Sequence, residues 1–220
     1  MMNVANEGLV AAWAELAGVG DREGGADYGV DLIAAYGEGH RRYHTVEHLE
    51  HLLRAIDLLG DESTDLRAVR YAAWFHDAVY EINSGSELSN EERSAQLAER
   101  VLAEWGEPAE LIAEVGRLVR LTAGHDPAPG DANGAALCDA DLAILGANTD
   151  DYARYSEQIR DEYREIPDEL FRPGRAAVLR ALLDHDTIYW THAGRELFEE
   201  AARRNIEAEI EQLTGAKTGE

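Results

Sequence analysis

Four histidines and three carboxylates carry the chemistry that this chain can offer. In Arg42-Tyr43-His44-Thr45-Val46-Glu47-His48-Leu49-Glu50-His51, the residues His44, His48 and His51 stand at i, i+4 and i+7, so on a helix three imidazoles share one side. Val46, Leu49, Leu52, Leu53, Ile56 and Leu59 follow at helix-core spacing, which gives the segment an apolar face where an imidazole can be held away from water. Farther on, Ala72-Ala73-Trp74-Phe75-His76-Asp77 places a carboxylate directly after a His. That is the oxygen ligand a divalent hydrolytic metal takes beside nitrogen. A third piece, Leu137-Cys138-Asp139-Ala140-Asp141-Leu142, brings two carboxylates to what reads as the start of an apolar helix. Asp139 reads as its N-cap and Asp141 falls in its first turn, where burial without a cation partner would be costly. His48, His76, Asp77 and Asp141 would then supply the four ligands of a metal site between helices.

Each of these signals has a structural alternative. A His on a helix is ordinarily solvated or part of a core, and His51 is read that way. The His-Asp dipeptide occurs three times, as His76-Asp77, His125-Asp126 and His185-Asp186. The first differs from the others because it closes an apolar run, residues 69–75, downstream of the paired His44 and His48. His185-Asp186 is read as structural.

The order His, His-Asp, Asp, with the last piece written Ala-Asp-x-x-x-Leu, resembles the HD superfamily of metal-dependent phosphohydrolases. The segment 43–48 also resembles the Tyr-His-x-x-x-His stretch of the class I cyclic nucleotide phosphodiesterases of that superfamily. A bacterial subgroup of uncharacterised HD phosphohydrolases is similar over more of the chain, through residues 43–48, 74–77, 90–95 and 139–146. The likeness extends into Ile159-Arg160-Asp161-Glu162-Tyr163 and Gly174-Arg175, covering about residues 30–210. The resemblance implies one or two divalent ions on His48, His76, Asp77 and Asp141, with Mn, Mg, Fe, Co, Ni and Zn not distinguished. It implies hydrolysis of a phosphomonoester or phosphodiester in a small, nucleotide-like metabolite. His44 resembles the His that protonates the leaving oxygen in the phosphodiesterases. His125 reads either as a partner for the C-terminal dipole of its helix or, as the resemblance implies, as a group that serves a second metal or the substrate. Arg160 and Arg175, in so acidic a chain, are candidates for holding a phosphate; their alternative is pairing with the abundant carboxylates. Two other readings stay open. One is an HD-type di-iron oxygenase, which His125 and a nearby Tyr43 would suit, and the other is a non-catalytic nucleotide-binding protein.

The elements that must position these groups all read as helical, and no strand-like alternation or repeat occurs. With 220 residues, 45% of them hydrophobic and 29% charged, the expectation is one all-α domain of about nine or ten helices. Residues 1–36 would brace it, 37–146 would form the metal-site core, and 147–213 would supply the C-terminal helices. The spacing predicts helices over 7–18 and 29–36 joined by a Gly-rich loop (18–29), then a helix from Tyr43 to Leu59. Ser63 or Thr64 would cap the next, and residues 80–89 would form a loop walling a pocket. Ser89-Asn90-Glu91-Glu92 has the capping-box pattern; the functional alternative for Glu92 is to fix the tautomer of a catalytic or metal-bound imidazole. Residues 126–134 read as a surface loop, Pro173-Gly174 as a helix break, and 193–213 as a terminal helix with Leu197, Phe198, Ala201, Ile206 and Ile210 inward.

The net charge of −24 argues against duplex nucleic acid or an anionic membrane as partners. A phosphorylated substrate would also be repelled at long range, so the sign must reverse inside the site. The expected partner is a small phosphorylated molecule, with self-association as a homodimer left open. One cysteine, Cys138, excludes an internal disulfide and suits a reducing compartment. With no signal segment or long apolar stretch, the expectation is a soluble cytoplasmic protein.

Overall fold

Residues 66–75 have almost no polar face, and the helix they form is buried from Ala68 to Phe75 except at Arg70. An apolar helix of this kind is stable only when other elements cover it. The structure, a computed structural model, describes residues 4–18, 25–82 and 85–215. Among them are ten α-helices and no strand. The first four are α1 (Val4–Ala17), α2 (Gly25–Tyr36), α3 (Val46–Leu59) and the buried α4 (Leu66–Phe75). Next come α5 (Asn90–Glu104), α6 (Ala109–Leu121) and α7 (Ala132–Asp141). A 3-10 turn (Leu142–Gly146) leads into α8 (Thr149–Glu162), α9 (Asp168–Leu183) and α10 (His192–Thr214). Residues 19–24 of the predicted Gly-rich loop and residues 83 and 84 of the predicted 80–89 loop lie outside the described residues.

Helices α1, α3, α6 and α7 pack around α4, and α5 packs on α6. The bracing role expected of the N-terminal helices rests on Trp13, whose ring lies 5.1 Å from that of Trp74 and 5.9 Å from that of Phe75. A second core, with Leu145, Tyr152, Tyr155, Ile159, Leu179, Tyr189 and Ile206, joins α8, α9 and α10. Phe198 packs against both clusters. Gly146 is where α10 comes closest, because a Cβ there would meet the Phe198 backbone at 2.8 Å.

Several boundaries differ from the sequence reading. Helix α3 begins at Val46, so Tyr43 and His44 precede it; the amides of Arg42, Tyr43 and His44 all donate to Glu162 Oε1 and leave that turn outside the helix. The cap of α4 is Asp65, which accepts from Ala68 N, rather than Ser63 or Thr64; the Thr64 amide and hydroxyl donate to Asn133 Oδ1. Pro173 lies within a continuous α9, where the cost of one missing amide is offset by the burial of Ala176 and Leu179. Leu197 is exposed, and Ala202, Ile206 and Glu209 form the buried face of α10.

The largest correction concerns Asp139. Helix α7 starts at Ala132, capped by Asp131, so Asp139 and Asp141 sit at its end rather than its start. Asp139 is fully buried and holds the turn that leads into α10 instead, accepting from Trp190 N at 2.8 Å, Thr191 N at 2.8 Å and the hydroxyl of Thr191 at 2.7 Å; Thr191 is the cap of that helix, its Oγ1 accepting from Gly194 N. A Cβ on Gly194 would lie 2.3 Å from Asp139 Oδ2, so the helix start is fitted to this carboxylate. Asp139→Ala should lose about 2–4 kcal/mol of stability in denaturant unfolding, because it strands several buried donors. Asp139→Asn should lose about 1–2 kcal/mol, since one of its two polar atoms can no longer accept.

Candidate metal centre

Helices α3, α4 and α7 bring three of the predicted ligands together. His48, on the inward face of α3, and His76, which caps the end of α4, place their Nε2 atoms 3.1 Å apart. Asp141, the last residue of α7, sets Oδ1 3.2 Å from His48 Nε2 and 3.6 Å from His76 Nε2. His48, His76 and Asp141 form a group that can hold a metal ion, their ligand atoms all lying within 4.8 Å of one another. Asp77 adjoins both imidazoles, with Oδ2 3.1 Å from His76 Nε2 and 3.8 Å from His48 Nε2. Ligand atoms about 2.0–2.2 Å from a cation sit roughly 3.0–3.5 Å from each other, and this group has that scale.

The orientation of the rings supports the same use. His76 Nδ1 lies 2.8 Å from the Ala73 carbonyl, to which it can only donate, and His48 Nδ1 lies 3.1 Å from the Tyr43 hydroxyl. With the protons on Nδ1, both Nε2 lone pairs face the centre, as outer partners of a metal-bound imidazole arrange them. Both rings are buried. Burial holds the His48 pKa below its ordinary value, against the raising effect of Asp141 and Asp77. Burial also lowers His76, but the Asp77 and Asp141 carboxylates outweigh it and push that group up to about 9. A cation bound there would have to displace that proton. Asp77 and Asp141 are held below the usual carboxylate range against burial, chiefly by His76.

A buried guanidinium fixes the backbone around the centre. Arg41, 3% exposed, donates through Nη1 to the carbonyls of His44 and Asp77 and through Nη2 to that of Ala78. It thereby ties the turn before α3 to the turn after α4. Tyr36 reinforces that turn by donating toward the Trp74 carbonyl and accepting from Asp77 N.

His44 lies beside this group, its ring 5.7 Å from that of His48 and stacked on Tyr80 at 4.3 Å. Its partner is Glu162, at 2.6 Å from Nδ1, and not Glu92. Glu92 stands on the surface at the start of α5, where Ser89 accepts from its amide and its carboxylate is held by Arg120 at 2.6 Å. It is part of a helix cap and an ion pair. Glu162 is 4% exposed. Burial opposes its ionisation, yet the His44 hydrogen bond and charge bring its pKa down to about 2. His44 is raised above its ordinary value: burial lowers it, and Asp77 and Glu162 more than compensate. The signs fix a pH window. Stability from the depressed Glu162 is present above about 4.5 and lost as pH falls toward 2; that from the raised His44 is present below about 6.5 and lost at higher pH. The stability gap between wild type and Glu162→Gln should therefore be widest between those two values and shrink on either side, as read by urea unfolding across pH.

His125 reaches the outer edge of the centre, with Nε2 2.8 Å from Asp141 Oδ2. It has φ 51°, a left-handed conformation uncommon for a residue other than glycine. The Leu121 carbonyl accepts its amide and Trp190 Nε1 donates to its carbonyl. His51 is exposed, as expected. The two arginines diverge. Arg160 is spent on Asp168 and the carbonyls of Tyr163 and Ile166, which leaves it a structural clamp. Arg175 lines the same cavity as His44, His125 and Asp141, but pairs with Glu209 at 2.9 Å and the Tyr155 hydroxyl at 2.9 Å.

Sequence reasoning missed Glu162 and Arg41 as positioning groups. For Glu162 a signal existed: it continues the buried stripe Tyr152, Tyr155, Ile159 of α8, where a carboxylate requires partners. Compared with known proteins, the chain matches no family model, no curated protein and no solved structure. No described helix is long and apolar enough to cross a membrane.

Proposed function

We propose that this protein is a metal-dependent phosphohydrolase of the HD type, acting on a phosphomonoester or phosphodiester of a small metabolite. The observation that carries the reading is the convergence of His48 and His76 Nε2, 3.1 Å apart, on the Asp77 and Asp141 carboxylates, with each Nδ1 engaged elsewhere. The order of these residues along the chain is the order that resembles the HD superfamily. A divalent cation held by them would polarise a phosphoryl oxygen and make a water acidic enough to be a nucleophile at neutral pH. The chain's own residues do the rest. Glu162 holds His44 through Nδ1, which leaves Nε2 to carry a proton toward the leaving oxygen. As water adds to phosphorus and the P–O bond to the organic group breaks, that proton passes to the departing alkoxide, and a proton from the water is returned to His44. Arg41 and Tyr36 keep the two ligand-bearing turns in register, and Tyr43 orients His48.

Metal analysis of protein purified without chelator, followed by assay against phosphomonoesters and phosphodiesters with Mn²⁺ or Mg²⁺, tests this. Bound metal and release of phosphate or of a phosphomonoester are expected. Iron with oxygen uptake and no phosphoester turnover would replace the reading with an oxygenase, and ligand binding without turnover would replace it with a binding protein.

A further inference from the structure

Two cavities open from the centre and share Tyr43, Asp141, Ile144 and Tyr155 in their walls. Of the two, the one of 540 Å³ also holds His44 and His125, so a group that receives a proton from His44 lies in it. At that end its wall is polar. Away from it the wall is built from Ile159, Ile166, Leu170, Phe171 and Val178, on and between α8 and α9. Leu170 and Val178 stand at its mouth 65% and 58% exposed, the kind of apolar surface that a ligand covers.

What the wall lacks is as specific as what it holds. Among the described residues lining this cavity there is no Asn, Gln, Ser, Thr or Lys. Each hydroxyl present already holds one hydrogen bond, Tyr43 accepting from His48 Nδ1, Tyr155 accepting from Arg175 Nη2 and Tyr163 bonding Tyr80. Its one guanidinium, Arg175, is paired with Glu209. A sugar or nucleoside entering here would give up bonds to water and find few partners in return, whereas an apolar group would cover exposed side chains.

We infer that the organic group on the substrate's phosphate is apolar, an aryl or alkyl residue and not a sugar or nucleoside. This rests on the phosphohydrolase reading of the same site and departs from the nucleotide-like expectation.

The test is binding of phosphonates, which have no P–O–C link to hydrolyse, to the full chain loaded with Mn²⁺. Calorimetric titration should give 1-naphthylmethylphosphonate and hexylphosphonate Kd values at least tenfold below those of the methylenephosphonate analogues of AMP and glucose 6-phosphate. Leu170→Asp and Val178→Asp, at exposed positions, should each erase most of that preference with helix content unchanged by circular dichroism. Equal or tighter binding of the polar analogues overturns the inference, as does a preference that survives both substitutions or a failure of every phosphonate to bind. Apolar preference without hydrolysis of any phosphoester would remove the phosphohydrolase reading and keep the apolar pocket. Turnover of AMP or glucose 6-phosphate without that preference would do the reverse.

Discussion

His76→Ala and Asp77→Ala proteins should purify without bound metal and turn over no phosphoester. Each change would delete a ligand from the proposed set of about four, and the remaining groups could not compensate, because His48 and Asp141 are fixed by their helices. The two substitutions act at different places. His76 is 2% exposed and donates to Ala73, so its loss also weakens the end of α4. Asp77 is more accessible and lies past that helix, so Asp77→Ala should leave the melting temperature nearer to wild type while losing the metal equally. Asp141→Asn should lower metal content sharply, whereas Asp139→Asn should retain it and lose stability instead. Metal at full occupancy in His76→Ala or Asp77→Ala, measured by plasma emission on folded protein, would sink the assignment.

The second large effect belongs to His44. His44→Ala should keep its metal near the wild-type level and still lose roughly 10²–10⁴-fold in rate, the usual contribution of a positioned proton donor. The deficit should shrink for a nitrophenyl ester, whose leaving group departs without a proton, and stay large for an alkyl ester. Glu162→Gln should give a milder form of the same pattern, because the amide presents a donor where the imidazole needs an acceptor. Glu92→Gln should leave the rate unchanged, since Glu92 touches Arg120, Gln96 and Ser89 and not an imidazole. An equal deficit with good and poor leaving groups would move His44 out of the proton-donor role.

Helix periodicity made the all-α architecture readable in advance, and the His and Asp residues that converge at the centre were readable as a group because they occupy short motifs joined to apolar runs. The boundaries around them were less so. Asn133-Gly134 looks like loop composition, yet Asn133 is tied to Thr64, Asp65 and Glu114, and such ties form only after distant segments meet. That misplacement put Asp139 at the wrong end of its helix and hid its hold on Thr191, the cap of α10. The partner of His44 was hidden for a similar reason. Glu92 had the local pattern, but Glu162 has the contact, 118 positions away along the chain, and separation of that kind is decided by packing.

That long-range contact divides the site between two cores that need not loosen together. The proposed ligands stand on or beside helices of the α4 cluster, while Glu162 belongs to α8, in the C-terminal cluster with Tyr152 and Ile159. Sub-global opening of the C-terminal helices would release the turn at residues 42–44 and disarm His44 while the ligand helices stay closed. Gentle heating of metal-loaded protein should therefore act in two stages, with turnover fading first and reversibly, and a bound ion escaping only when the central helix melts.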